Sequence, residues 1–99
     1  MIIKGVQDKV RKGEHSFSDH AVKRMIKRSI NRQEVEEAIL RGEIIEKYPK
    51  DKYSPRCLIY GKTDKGRDLH AQVSLPPVVV VITAYDPDPE EWINCKIRR

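Results

Sequence analysis

Cysteine is scarce in this 99-residue chain: Cys57 and Cys95 stand far apart, without Cys-x-x-Cys spacing or a neighbouring histidine cluster. That excludes a disulfide framework and argues against a structural zinc site. Both thiols are expected to be reduced, with Cys57 acting as a small buried hydrophobe inside an apolar run. Long apolar stretches are lacking too. The longest, Val78 to Ile82, ends at Thr83, far short of the roughly 20 residues a membrane helix needs. The amino terminus, Met1-Ile2-Ile3-Lys4-Gly5, lacks the basic-then-apolar pattern of a secretory leader, so the expected compartment is the cytoplasm. No phosphate loop, dinucleotide fingerprint, nucleophile elbow or HExxH pair is present, which removes the enzyme classes with the most specific motifs. There is no repeat, low-complexity tract or long linker. With 38% hydrophobic and 35% charged residues, the expectation is one domain over residues 1–99 with one modest core.

What the chain has is positive charge, unevenly spread. Lys and Arg number 20 against 15 Asp and Glu, a net +5. Residues 1–33 hold nine cations against three anions, a local charge of +6, so the rest of the chain is at −1. Such asymmetry attracts polyanions or acidic proteins by long-range steering, without specifying a sequence. A solvated basic helix surface accounts for the same charge.

The first half reads as helices. Ile2, Ile3, Val6 and Val10 recur at helical spacing before Gly13, predicting a helix over residues 2–12. Ser18 is a cap candidate for the next helix. On that helix, over residues 19–28, Ala21, Val22, Met25 and Ile26 fall on one arc, predicted to be buried, and His20, Lys23, Arg24, Lys27 and Arg28 on the other. Asn31-Arg32-Gln33-Glu34 resembles a capping box, with Ile30 and Val35 placed as a hydrophobic staple, and opens a helix over 32–41. Gly42 is expected to end it in the left-handed conformation.

After Gly42 the period becomes extended. Strands are predicted over 44–48, 56–60, 67–75 and 78–85, with a polar loop at 49–55 and a turn at Thr63-Asp64-Lys65-Gly66. Within 67–75, Leu69, Ala71, Val73 and Leu75 alternate with Asp68, His70, Gln72 and Ser74, which leaves one face wet or functional. Asp88-Pro89-Glu90-Glu91-Trp92 suggests a short final helix. The fold class expected is therefore α+β: amino-terminal helices packed on a four-stranded, mostly antiparallel sheet, with a short carboxy-terminal helix.

His20, Arg24 and either Lys27 or Arg28 follow i, i+4, i+7/8 spacing and form one stripe able to meet phosphate oxygens, although an exposed helix face has the same look. His70 lies on the polar strand face, where its ring could take or give a proton near neutrality, or simply be structural. Arg67 precedes it by three residues, on the opposite face by strict alternation unless a bulge intervenes. Thr83 and Tyr85 share a face and could bring a hydroxyl and a phenol beside His70, or could close a core edge. His15, in a glycine-containing turn region, carries little information. Neither a metal nor a cofactor is called for.

Phe17-Ser18-Asp19-His20-Ala21-Val22-Lys23-Arg24-Met25, Val35 to Gly42, Gly66-Arg67-Asp68-Leu69-His70 and Thr83-Ala84-Tyr85-Asp86-Pro87 together resemble the prokaryotic domain-of-unknown-function family 4258, from about Phe17 to Trp92. More distantly the chain is similar to RelE/ParE and BrnT-type toxins. That resemblance implies a metal-independent endoribonuclease of a toxin–antitoxin pair, with RNA and an acidic antitoxin as partners. His70, with His20 and Tyr85, would then serve acid–base chemistry, and Arg24, Arg28, Arg67 and Lys27 would contact phosphate. The alternatives are a noncatalytic nucleic-acid or protein-binding module using helix 19–28, and a partner-stabilised or self-associating protein, the latter if Val78 to Ile82 lies at a sheet edge. The oligomeric state is left open by the sequence.

Overall fold

The computed structural model describes residues 2–50, 52 and 54–99, Ile2 by its backbone alone. Met1 and parts of the 49–55 loop lie outside the described residues. Helix α1 (Ile2–Arg11) is followed by strand β1 (His15–Phe17), helices α2 (Asp19–Arg28) and α3 (Arg32–Arg41), and strands β2 (Glu43–Tyr48), β3 (Arg56–Lys62), β4 (Asp68–Ser74) and β5 (Val79–Tyr85). A small hairpin, β6 (Trp92–Ile93) and β7 (Ile97–Arg98), completes the described elements.

Local chemistry sets the helix starts. Ser18 Oγ accepts the Ala21 amide at 3.1 Å, and the Asn31 side chain accepts the Glu34 amide at 2.8 Å while Glu34 accepts the Asn31 amide at 3.0 Å. Each pair satisfies first-turn donors that have no partner within the helix. Gly42 departs from expectation: its φ is −94°, extended rather than left-handed. Glycine is needed there for space, because a Cβ would lie 2.5 Å from the Ala38 carbonyl oxygen.

The sheet runs β1-β5-β4-β3-β2. Strands β2 to β5 form an antiparallel meander, but β1 adds a fifth strand, parallel to β5 at residues 79–81. The four-stranded expectation is thus corrected to a mixed five-stranded sheet, and the apolar start of β5 is paired with β1, Val81 with β4 as well, rather than left at an edge. The expected final helix is corrected as well. After one turn around Asp88 the chain forms the β6–β7 hairpin, with Asn94 and Cys95 at φ of 53° and 65°. They are the central residues of a tight turn that the Lys96 amide closes on the Ile93 carbonyl at 3.0 Å, and positive φ at both reverses the chain.

One face of the sheet carries Cys57, Ile59, Leu69, Ala71, Val73, Val79, Val81 and Ala84 into a core shared with Val6, Val10, Ala21, Met25, Val35, Ala38 and Ile39 of the helices. Two residues expected in this core are outside it: Val22 is 42% and Ile26 74% exposed. Both cysteines are free, and Cys57 is buried. No described helix is long and apolar enough to cross a membrane.

Candidate functional site

Strand alternation sends a second set of side chains away from the helices: Glu46 from β2, Leu58 and Tyr60 from β3, His70 and Gln72 from β4, Thr83 and Tyr85 from β5. Part of this face is roofed by the β6–β7 hairpin. Trp92 is buried, edge-on to the His70 ring at 4.6 Å, with the Arg98 guanidinium 4.5 Å from its own ring centre. Arg98 grips Glu46 through two bonds of 2.9 and 3.1 Å, and Lys96 lies 3.5 Å from Glu43. The strand face expected to be wet is therefore covered at its centre.

His70 is fully buried. Its Nε2 lies 2.6 Å from the Cys95 carbonyl oxygen, which can only accept, so the proton sits on Nε2. Nδ1 is then the acceptor for the Tyr85 hydroxyl at 3.3 Å. Burial lowers the His70 pKa below the ordinary imidazole value, against smaller opposing contributions from the Cys95 carbonyl and Glu46, which keeps the ring neutral at neutral pH. Burial likewise raises the pKa of Tyr85, against Arg98 and Arg24. The pair is thus a neutral imidazole behind a protonated phenol.

Tyr85 is where this pair meets solvent. Because β1 ends at Phe17, opposite Val81, the end of β5 is an edge flanked by α2. Arg24 reaches over that edge, its Nη1 3.4 Å from Thr83 Oγ1 and its guanidinium 4.8 Å from the Tyr85 ring centre. Between α2 and the hairpin lies a cleft of about 560 Å³ lined by Arg24, Arg28, Arg98, Gln72, Thr83 and Tyr85, with Asp86, Asp88 and Glu91 among its acidic residues. Asp86 is bound by Arg67, Asp88 accepts the Glu90 amide at 2.9 Å, and Arg98 is held by Glu46. Arg24 and Arg28 have no ion-pair partner among the described residues, and they face Asp88 and Glu91, which likewise have none, across the cleft. A neighbouring cleft of about 580 Å³ is lined by Asp68, Asp86 and the Cys95 turn, and its Arg99 is tied to the Pro89 carbonyl at 2.8 Å; it suits an anion less well.

Arg67, expected to contact phosphate, has its donors engaged within the protein. Nε and Nη2 bind the two Asp86 oxygens at 2.8 and 3.1 Å, Nη2 also donates to the Arg28 carbonyl at 2.9 Å, and Nη1 to the Ser29 carbonyl at 2.9 Å and to Glu34 at 3.4 Å. It clamps the end of α2 to the end of β5, and so sets the spacing of Arg28 and Tyr85. Arg67→Ala is expected to cost about 3 kcal/mol, since it strands two carboxylates and two helix-end carbonyls. Arg67→Lys should recover only part of this, because an ammonium cannot span both Asp86 oxygens. Urea unfolding of the three proteins measures it.

His20 is exposed on α2, with no contact to His70, so the two imidazoles do not form a pair. Lys27, two turns further along α2, is exposed too and is not among the residues lining the cleft. His15 carries more than its sequence context indicated: its side chain is 2% exposed and its Nε2 lies 2.6 Å from Glu36, which also accepts from Arg32 at 3.1 Å. It fastens β1 to α3. The sequence places Gln72 on the polar strand face and Trp92 in the expected final helix without a role for either, and gives no signal for Arg98. The Trp92-Ile93-Asn94-Cys95-Lys96-Ile97 run, with Asn at a turn, was the signal for the hairpin.

Fold and site define a small α+β protein in which three helices cover one sheet face, while a hairpin and an arginine-lined cleft share the other. Within that class the chain belongs to the family described as Domain of unknown function (DUF4258), whose model matches residues 17–86. The match ends at Asp86 rather than Trp92, leaving α1 and the β6–β7 hairpin outside it. No curated protein and no solved structure matches the chain.

Proposed function

We propose that the protein acts on RNA, seating a phosphodiester in the cleft between α2 and the hairpin. The observation that carries this reading is the convergence of two arginines without ion pairs among the described residues, Arg24 and Arg28, on a phenol, Tyr85, hydrogen-bonded to a neutral buried imidazole. In the cleavage step the RNA 2′-hydroxyl gives its proton to Tyr85 Oη as the phenol proton passes to His70 Nδ1. The 2′-oxygen then forms its bond to phosphorus, the bond to the 5′-oxygen breaks, and that oxygen takes a proton from water. The products are a 2′,3′-cyclic phosphate and a 5′-hydroxyl. The hydroxide left by the water takes the phenol proton of Tyr85 as Tyr85 Oη takes back the proton held on His70 Nδ1, which restores both groups. Arg24 and Arg28 offset charge on the phosphorane oxygens. Tyr85 touches the reacting atoms, and His70 acts through it as a positioning residue and proton acceptor. Small size, the net charge of +5 and helices packed on a largely antiparallel sheet support the more distant kinship with RelE/ParE and BrnT-type toxins. In that setting the chain is the RNA-acting member of a toxin–antitoxin pair with an acidic antitoxin.

The second reading is RNA binding without cleavage, favoured by the complete burial of His70. Incubating RNA with the protein in chelator, alone and with ribosomes, separates the two. New ends bearing cyclic phosphate support cleavage, bound but intact RNA supports binding alone, and RNA that stays both intact and unbound overturns the RNA proposal. Under either reading, Arg24→Ala with Arg28→Ala should weaken RNA binding at least tenfold. The double substitution should also flatten the slope of log affinity against log salt by about 1.4, roughly 0.7 for each phosphate of a single strand that the protein no longer neutralises. Fluorescence anisotropy over a salt series measures both.

A further inference from the structure

Helix α2 presents three faces. Ala21 and Met25 enter the core, Arg24 turns toward the cleft, and Val22, Lys23, Ile26 and Lys27 face solvent. Ile26 at 74% exposure and Val22 at 42% are one turn apart and form an apolar stripe that none of the described residues covers. Lys23 and Lys27 run parallel to it, exposed and without ion pairs among the described residues. An uncovered i, i+4 pair of branched aliphatic residues beside a row of cations is what an amphipathic partner helix can use: apolar anchors for burial, charges for steering.

We propose that this outer face of α2 is the docking surface for an acidic amphipathic helix of a partner protein. The surface gives the acidic partner of the preceding reading a place on the chain, yet it stands on the exposure and charge of α2, independently of any RNA chemistry. Charge selects this occupant over others. A second copy would bring Lys23 and Lys27 of both chains together across the contact, a like-charge arrangement that disfavours self-association. An anionic lipid surface matches the charge, but interfacial helices insert a broad apolar face with bulky aromatics, and α2 has ten residues, two exposed aliphatic anchors and no aromatic side chain. RNA has no use for the aliphatic pair. Asp19, exposed in the first turn of α2, favours the helix end by its charge and lies one turn before Lys23, leaving the lysine row basic.

The test uses the full chain, labelled with nitrogen-15, and two synthetic helical peptides with the same leucine spacing, one with glutamate at every other surface position and one with lysine. The acidic peptide should shift amides of residues 19–28, bind more tightly as salt is lowered, and lose affinity about tenfold with Ile26→Asp. Because Ile26 is exposed, Ile26→Asp should keep the fold and lower the unfolding midpoint by only a few degrees, the cost of an acid in the last turn of α2, which a melt verifies. Arg24→Ala should leave peptide binding intact, so that failure of the docking surface and failure of the RNA cleft are separable. The proposal is overturned if the acidic peptide shifts nothing at millimolar concentration, if both peptides bind alike, or if shifts gather at Arg24, Arg28 and Arg98 and ignore Ile26→Asp. Sedimentation showing a dimer that Ile26→Asp dissolves would assign the face to a second copy, and equal shifts by anionic vesicles would assign it to lipid; either result also overturns it.

Discussion

Tyr85→Phe should leave RNA binding within about twofold of the parent while slowing cleavage by at least about 100-fold, the usual range for loss of a proton-transfer group being 10²–10⁴. The phenyl ring keeps its place under the Arg24 guanidinium, 4.8 Å from the ring centre, so the electrostatic seat survives while the hydroxyl that faces His70 Nδ1 is gone. Single-turnover cleavage and equilibrium binding, measured on the same RNA, separate the two effects; equal losses in both would show that Tyr85 only binds. The acid limb of the rate profile carries a sign. His70 must be neutral to accept the proton, and burial lowers its pKa, so the rate should hold through about pH 6.5, the ordinary imidazole value, and fall only below it. Stability follows from the same shift. Between the lowered folded pKa and the unfolded value the unfolded chain binds more protons, so the stabilisation present above about pH 6.5 declines as the pH drops through that window. Urea midpoints at pH 7.5 and 5 test this, with His70→Phe expected to flatten the difference.

Gly61→Ala is expected to be the most damaging substitution for the fold. A Cβ at this buried position on β3 would sit 1.9 Å from the carbonyl oxygen of Ala38 and 2.7 Å from its carbonyl carbon. Both are backbone atoms of α3, so relief requires moving the helix off the sheet. Overpacking of this kind commonly costs 1–3 kcal/mol, and a clash against main chain on both sides of the core raises the expectation to on the order of 4 kcal/mol. For a domain of this size that is a drop of roughly 15–30 °C in Tm, read by calorimetry. Gly42, whose Cβ would meet the same Ala38 oxygen at 2.5 Å, should behave similarly. Together the two glycines define where α3 touches the sheet.

The elements that could be read from sequence are those whose cause is local. Ser18 and the Asn31–Glu34 box announce their helices because each cap is satisfied within three residues. Strands β2 to β5 follow from alternation and from a turn closed by the Gly66 amide on the Thr63 carbonyl at 2.9 Å. Strand β1 is hidden because its three residues owe their extension to Val79, Val80 and Val81, over sixty positions away. The carboxy-terminal region misled in an instructive way: Asp88 does accept the Trp92 amide through its carbonyl at 3.0 Å, as a helix start would, but the positive φ angles at Asn94 and Cys95 turn the chain back.

The site divides along the same line. Arg24, Arg28 and Tyr85 meet in one cleft, while His70 lies behind it and His20 apart from it. Arg67 follows no strand alternation because it precedes β4, and its partners come from α2, α3 and the residue just after β5. Periodicity placed Val22 and Ile26 on the apolar arc of α2, yet it cannot distinguish an arc packed inside the molecule from one facing outward.

Trp92 is the chain's single tryptophan, seated against the His70 ring and beneath Arg98. Its intrinsic fluorescence is therefore a built-in optical gauge of whether the hairpin is docked. A red shift that comes before the loss of far-ultraviolet circular dichroism would mark lifting of the roof from a sheet that is still folded, and its amplitude on adding RNA would time that movement without any attached dye.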